Sequence, residues 1–135
     1  MAVTGQLSSK GVPTTVEIEP AKVEWKPTKT RADDYKPFGV EKTRMTSSGK
    51  DYFEVSGDIT NPYERDIESI SVVVLLRDAE GKLVGGDTGY VNGLSAKGNR
   101  PFEVKYIRVK GKPVSHEVSV YPHGLTSWNS LAAAK

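Results

Sequence analysis

The residues able to do chemistry are few. His116 and His123 are the only imidazoles, and there is no cysteine. A Ser-His-Asp site would have to use one of these histidines together with a positioned acid and an oxyanion hole. No Gly-x-Ser-x-Gly nucleophile elbow occurs anywhere in the chain. His116 shares a period-two face with Val114, Val118 and Val120, which predicts a packed, hydrogen-bonded histidine. His123 follows Pro122 in a predicted tail. Two histidines without a thiolate fall short of an ordinary zinc site. The carboxylates Asp33, Asp34, Asp66, Asp78, Glu80 and Asp87 stand in predicted loops, but their spacing matches no EF-hand type loop. Asp78 is explained as the residue that opens a turn. Gly85, Gly86 and Gly93 precede no helix whose amino terminus could hold a phosphate. The expectation is a chain that is not an enzyme, with no catalytic residue, cofactor or metal.

The aromatics carry more. Trp25, Tyr35, Tyr63, Tyr90, Tyr121 and Trp128 are spread along the sequence, and exposed rings on a sheet can stack on sugars or anchor a protein. Small cores use aromatics heavily, so Trp25 and Tyr90 are expected to plug the core or cover its ends. Tyr63, beside Pro62 in a predicted turn, is the ring expected to be exposed. Lys105, Arg108, Lys110 and Lys112 surround one predicted hairpin and read as a solvated edge that discourages strand addition.

The elements that must position these residues are strands. With 135 residues one domain with one core is expected. Nineteen basic against seventeen acidic residues give a net charge of +2 with both signs interspersed, which argues against nucleic acid as a partner. The longest apolar run, VVVLL at 72–76, is far below the roughly 20 residues of a membrane helix, so the domain itself is not expected to span a membrane. No export signal stands at its start, and cysteine content does not assign a compartment.

Residues 1–12, rich in Ser, Thr and Gly, predict a flexible tether. A single sandwich domain is expected over 13–122 and a tail, partly vector-derived, over 123–135. TVEIE at 15–19 and KVEWK at 22–26 alternate between prolines and predict two short edge-type strands. A loop over 27–37 and a strand from Phe38 to Met45 follow, then a turn at 47–50. Phe53, Val55 and Ile59 mark the buried face of the next strand, and NPYERD at 61–66 must turn. Ile70, Val72, Val74 and Leu76 share one face of a further strand. DAEG at 78–81 predicts a tight hairpin with Gly81 at positive φ. Gly85, Gly86, Gly89 and Gly93 weaken the segment after it and suggest a bulge or a close crossing of sheets. FEVKYIRV at 102–109 and VSHEVSVY at 114–121 form a last hairpin. The whole predicts an all-β, immunoglobulin-like antiparallel β-sandwich of about seven strands. Its central core is Phe53, Val55, Ile59, Ile70, Val72, Val74, Leu76 and Phe102, and a valine is expected to hurt more at Gly81 than at Gly85.

Between Phe53 and Val104 the chain resembles the FxLYD domain family, immunoglobulin-like domains of exported bacterial proteins, often lipoproteins. The resemblance rests on Gly57-x-Ile59-x-Asn61, on Leu76-Arg77-Asp78 followed by Gly81, Lys82 and Val84, and on Leu94, Gly98 and Phe102. Val74 and Arg77 stand where the family's Phe and Tyr would fall. The resemblance implies an extracellular or envelope-attached location and an interaction role, with no catalytic residue to carry over.

One feature of the pattern points to that role directly. Val73 and Leu75 are apolar on the strand face that the opposite sheet does not cover. Either the amino-terminal strands around Val16, Ile18, Val23 and Trp25 fold back over them, the favoured expectation, or they form an exposed patch for another protein or a second copy of this one. Val73, Leu75, Trp25, Tyr63 and Tyr90 are therefore the candidate interaction residues. They suit a non-catalytic binding or structural module for a protein or cell-envelope component, or alternatively a carbohydrate-binding accessory domain that uses exposed aromatics on a glycan.

Overall fold

The computed structural model describes residues 27, 35–124 and 131. Among these residues six strands follow one another: β1 Gly39–Ser47, β2 Tyr52–Thr60, β3 Ile67–Arg77, β4 Leu83–Leu94, β5 Asn99–Arg108 and β6 Ser115–Pro122. They form two antiparallel three-stranded sheets, ordered β1-β2-β5 and β4-β3-β6, so the fold is the expected β-sandwich. The two edge-type strands expected at 15–19 and 22–26 lie outside the described residues.

Alternation decides which side of each strand is buried. In β3, Ile70, Val72, Val74 and Leu76 are fully buried while Ser69, Ser71, Val73, Leu75 and Arg77 are half-buried on the opposite face. Val55 and Ile59 of β2 and Phe102, Val104 and Ile107 of β5 complete the layer between the sheets. Phe53, expected at the centre, is only half-buried and packs against the rim of that core.

Hairpin geometry follows the turn chemistry. The Asp78 carboxylate accepts from the Glu80 and Lys82 amides at 3.0 and 2.9 Å, Gly81 N–H donates to the Asp78 carbonyl, and Gly81 has φ 79°. Solvent surrounds Gly81, whereas a Cβ on Gly85 would sit 2.8 Å from the Arg108 carbonyl and 2.9 Å from Val109 Cγ1. The expected ranking of these two glycines is therefore reversed. β4 is not interrupted by its glycines. It runs for 12 residues, and Gly85 and Gly89 let it press edge-on against β5, with an isolated bridge from Gly85 to Val109. That is the close crossing the glycines suggested. The sandwich is thus closed along β4 and β5, while β1 and β6 on the other side scarcely touch.

The Asn61 turn is a buried polar knot. Its side chain is wholly buried, donates to the carbonyls of Arg65, Leu94 and Ser95 at 2.8, 3.3 and 2.9 Å, and accepts from Tyr63 N–H at 2.9 Å. This pins Tyr63 inward. Its hydroxyl donates to the Lys36 carbonyl and accepts from the Lys36 amide, and its ring lies 5.8 Å from that of Phe38. Tyr63 is only 5 % exposed, which overturns its reading as an exposed ring. The tail reading also fails at two points, because Leu131 is buried in the core and His123 is held to β3.

Candidate interaction face

The outer face of the β4-β3-β6 sheet is built in rows fixed by register. From β4 through β3 to β6 they read Tyr90, Ser71, Tyr121, then Thr88, Val73, Ser119, then Gly86, Leu75, Glu117. Val73 and Leu75 lie in the middle strand, so neighbours on both sides cover them in part. Gly86 has a particular part in this. A Cβ there would meet Leu75 Cδ2 at 3.1 Å and the Val74 carbonyl at 2.8 Å, so the missing side chain leaves the Leu75 methyls resting on β4 backbone.

Tyr90 is 59 % exposed, against its expectation as a core plug, and stands diagonally beside Val73 on this face. Trp25, the remaining candidate, lies outside the described residues. His123 closes the end of the face. Its N–H donates to the Ser69 carbonyl, its Nδ1 lies 3.0 Å from Ser71 Oγ, and its ring meets Tyr90 edge-on with centroids 4.7 Å apart. At the opposite end, Arg77 pairs with Glu117 at 3.6 Å and donates to the Gly81 carbonyl. The rows between carry hydroxyl, aromatic and aliphatic groups, and Glu117, at the β6 end of the Leu75 row, is their one charged member.

The other sheet presents the opposite chemistry. Its outer rows hold Arg44, Ser56 and Glu103, then Glu41, Asp58 and Pro101, with Arg108 beside Tyr52. Lys42 pairs with Asp58 at 3.2 Å and Lys105 with Glu103 at 2.8 Å. The Glu103 hydrogen bond and charge hold the Lys105 ammonium above its ordinary pKa. One molecule therefore has a face rich in charge and another whose charges, Glu117 and Arg77, are confined to one end and paired there.

The Ser71–His123 contact supplies a hydroxyl and an imidazole, two of the three groups of a triad. Among the described residues no carboxylate hydrogen-bonds that ring, and Ser71 sits in mid-strand with its backbone committed to the ladder. What the contact does is fasten the end of β6 across β3. His116 is half-buried on the inner face opposite Leu76, as its alternation predicted. The carboxylates weighed for calcium are dispersed: Asp66 accepts from Ala96 N–H, Asp78 caps its own turn and Asp87 accepts from Thr88 N–H. Among the described residues no group of three metal-ligating side chains forms, and Asp33 and Asp34 lie outside them.

Sequence reasoning missed His123 and Tyr106. Tyr106 is 72 % exposed with φ 58°, in a bulge where β5 slips by one residue against β2. The signal was available: the inward residues are Phe102 and Val104 and then Ile107 and Val109, a change of parity that strict alternation forbids without a bulge. Among the described residues no helix is long and apolar enough to cross a membrane. Comparison with family models, curated proteins and solved structures found no significant match to this chain.

Proposed function

We propose that this chain is a non-catalytic interaction module of an exported bacterial cell-surface protein or lipoprotein, binding a protein or cell-envelope component through the outer face of its β4-β3-β6 sheet. The observation that carries the reading is the contrast between its two outer faces. The β1-β2-β5 sheet follows the usual solvent-side chemistry, whereas the rows around Val73 and Leu75 hold a single charge, Glu117 at the β6 end of the Leu75 row, and end in the exposed ring of Tyr90. Apolar and aromatic groups with few charges are what the centre of a protein interface needs, because charge there must be desolvated. The envelope location is supported by the likeness to FxLYD domains at Gly57–Asn61 and from Leu76 to Val84, where the present fold has a strand ending in the Asn61 knot and a hairpin opened by Asp78.

The test is a comparison of three proteins on an envelope extract of the producing bacterium: the native chain, Val73→Lys/Leu75→Lys, and Arg44→Glu/Arg108→Glu on the charged face. The native and charged-face proteins should retain the same bound component and the lysine variant should lose it, with similar melts for all three. Equal retention by all three would overturn the assignment of the face.

A glycan is the second reading, favoured by one observation: Tyr90 and Tyr121 flank Ser71 in a single row, about 10 Å apart at the usual strand spacing. Two rings so placed suit neighbouring sugar faces. A glycan array bound by the native chain and lost with Tyr90→Ala, but not with Leu75→Lys, would select it.

A further inference from the structure

The four strand edges of the sandwich are not alike. β4 and β5 shield each other through the Gly85–Val109 bridge and the Lys110 N–H to Val84 carbonyl bond. β1 is broken by a bulge between Glu41 and Arg44 that holds Lys42 at φ 52°, a device that stops another strand from adding. β6 has neither protection. Its register with β3 is unbroken from Ser115 to Pro122, and among the described residues nothing pairs with its other side.

The hydrogen-bond parity of that free side follows from one contact. His123 N–H donates to the Ser69 carbonyl, so the pairs in step with it, Ser71–Tyr121, Val73–Ser119 and Leu75–Glu117, are the hydrogen-bonded ones. The amides of His116, Val118 and Val120 therefore point away from β3. Pro122 has the same parity, which is why a residue without an N–H is tolerated there. The inward side chains beside this edge are incompletely covered: His116 and Val118 on β6, and Val40 and Met45 on facing β1, are half-buried.

We propose that β6 is a strand-acceptor edge, and that the occupant is this chain's own segment 22–26, added in cis as a fourth strand. KVEWK alternates, so a strand there turns Val23 and Trp25 to one side and three charged residues to the other. That is the pattern required to extend a layer whose inner side is the half-covered rim and whose outer side meets water. The carboxy-terminal segment has a different period: Leu125, Trp128 and Leu131 recur every three residues, which suits a helix rather than a strand. The connection is long enough. The continuous described stretch begins at Tyr35, next to Lys36, whose backbone is hydrogen-bonded to the Tyr63 hydroxyl just before β3 begins, at the end of the sandwich where Ile70 of β3 pairs with Pro122 of β6. Nine residues from Lys26 to Tyr35 reach about 30 Å, and the 8 residues of β6 span about 26 Å, so the segment can lie beside β6 in either direction.

Amide hydrogen exchange by NMR on the full chain tests this, with β6 as its own control. Glu117, Ser119 and Tyr121 bond to β3 and should exchange slowly in any case. Slow exchange also at His116, Val118 and Val120 is the expected result, and exchange there at the rate of an open edge would overturn the proposal. In Val23→Pro/Glu24→Pro, which removes donors of both parities, those three amides should speed up at least about tenfold while the control three hold. No change would overturn the assignment to this segment. If all six accelerate together, the variant has unfolded and Trp25→Ala decides by the same comparison. Sedimentation should give a monomer; a dimer with the three amides protected would mean that a second copy supplies the strand and would overturn the cis occupant.

Discussion

Asn61→Ala removes the side chain that holds the loops at one end of the sandwich. Four hydrogen bonds are lost, of which the donation to the Leu94 carbonyl and the acceptance from Tyr63 N–H are buried and the other two partly so. A buried group left unsatisfied costs about 1–3 kcal/mol, and part-buried ones regain water. The two buried partners alone give about 4 kcal/mol, which for a chain of this size lowers Tm by roughly 10–15 °C. Asn61→Asp sharpens the test because it keeps the shape. It replaces the amide donor with a carboxylate facing three carbonyls, so burial and those dipoles must raise its folded pKa above the unfolded value of about 3.9. A raised folded pKa means that the folded state holds the proton more tightly. The variant is then least stable well above its folded pKa, and its deficit against the native chain shrinks as pH falls towards 4. Urea unfolding followed by circular dichroism between pH 4 and 8 measures both. A loss below about 1 kcal/mol for Asn61→Ala, or an Asn61→Asp deficit that does not narrow with falling pH, would refute the reasoning.

Further outcomes follow from the same packing. Phe102→Ala, at 4 % exposure and with its ring against Gly57, should cost about 3–5 kcal/mol; a change under about 1 kcal/mol in a denaturant melt would place the ring outside the core. Gly85→Val should destabilise more than Gly81→Val, since one collides with β5 backbone and the other meets solvent with only an unfavourable φ; the reverse order of melts would contradict the β4–β5 crossing. The purified chain should turn over no ester, peptide or glycoside. Turnover lost on His116→Ala or His123→Ala would end the non-catalytic reading.

Much of the fold was legible because strand alternation is a local signal. Val55, Ile59, Ile70, Val72, Val74, Leu76 and Phe102 are buried where period two put them, and Gly81 takes the positive φ that the Asp78 turn demands. What stayed hidden depends on contacts between distant residues. Tyr63 read as exposed because a turn residue beside proline usually is, yet the Asn61 side chain turns it onto Lys36, 27 positions earlier. His123 read as tail because nothing in its neighbours announces Ser71, 52 positions away. The apolar centre of the outer face was legible in Val73 and Leu75, but not its rows, since Tyr90 and Tyr121 join it only through register.

The face itself is tested most directly by mapping amide shifts on the isotope-labelled full chain as the envelope component retained in the pull-down is added. Perturbations should cluster at Ser71, Val73 and Leu75 with Thr88, Tyr90, Ser119 and Tyr121 around them, on one side of the β4-β3-β6 sheet. A cluster at Arg44, Ser56, Glu103 and Arg108 instead, on the charged side, would contradict the account.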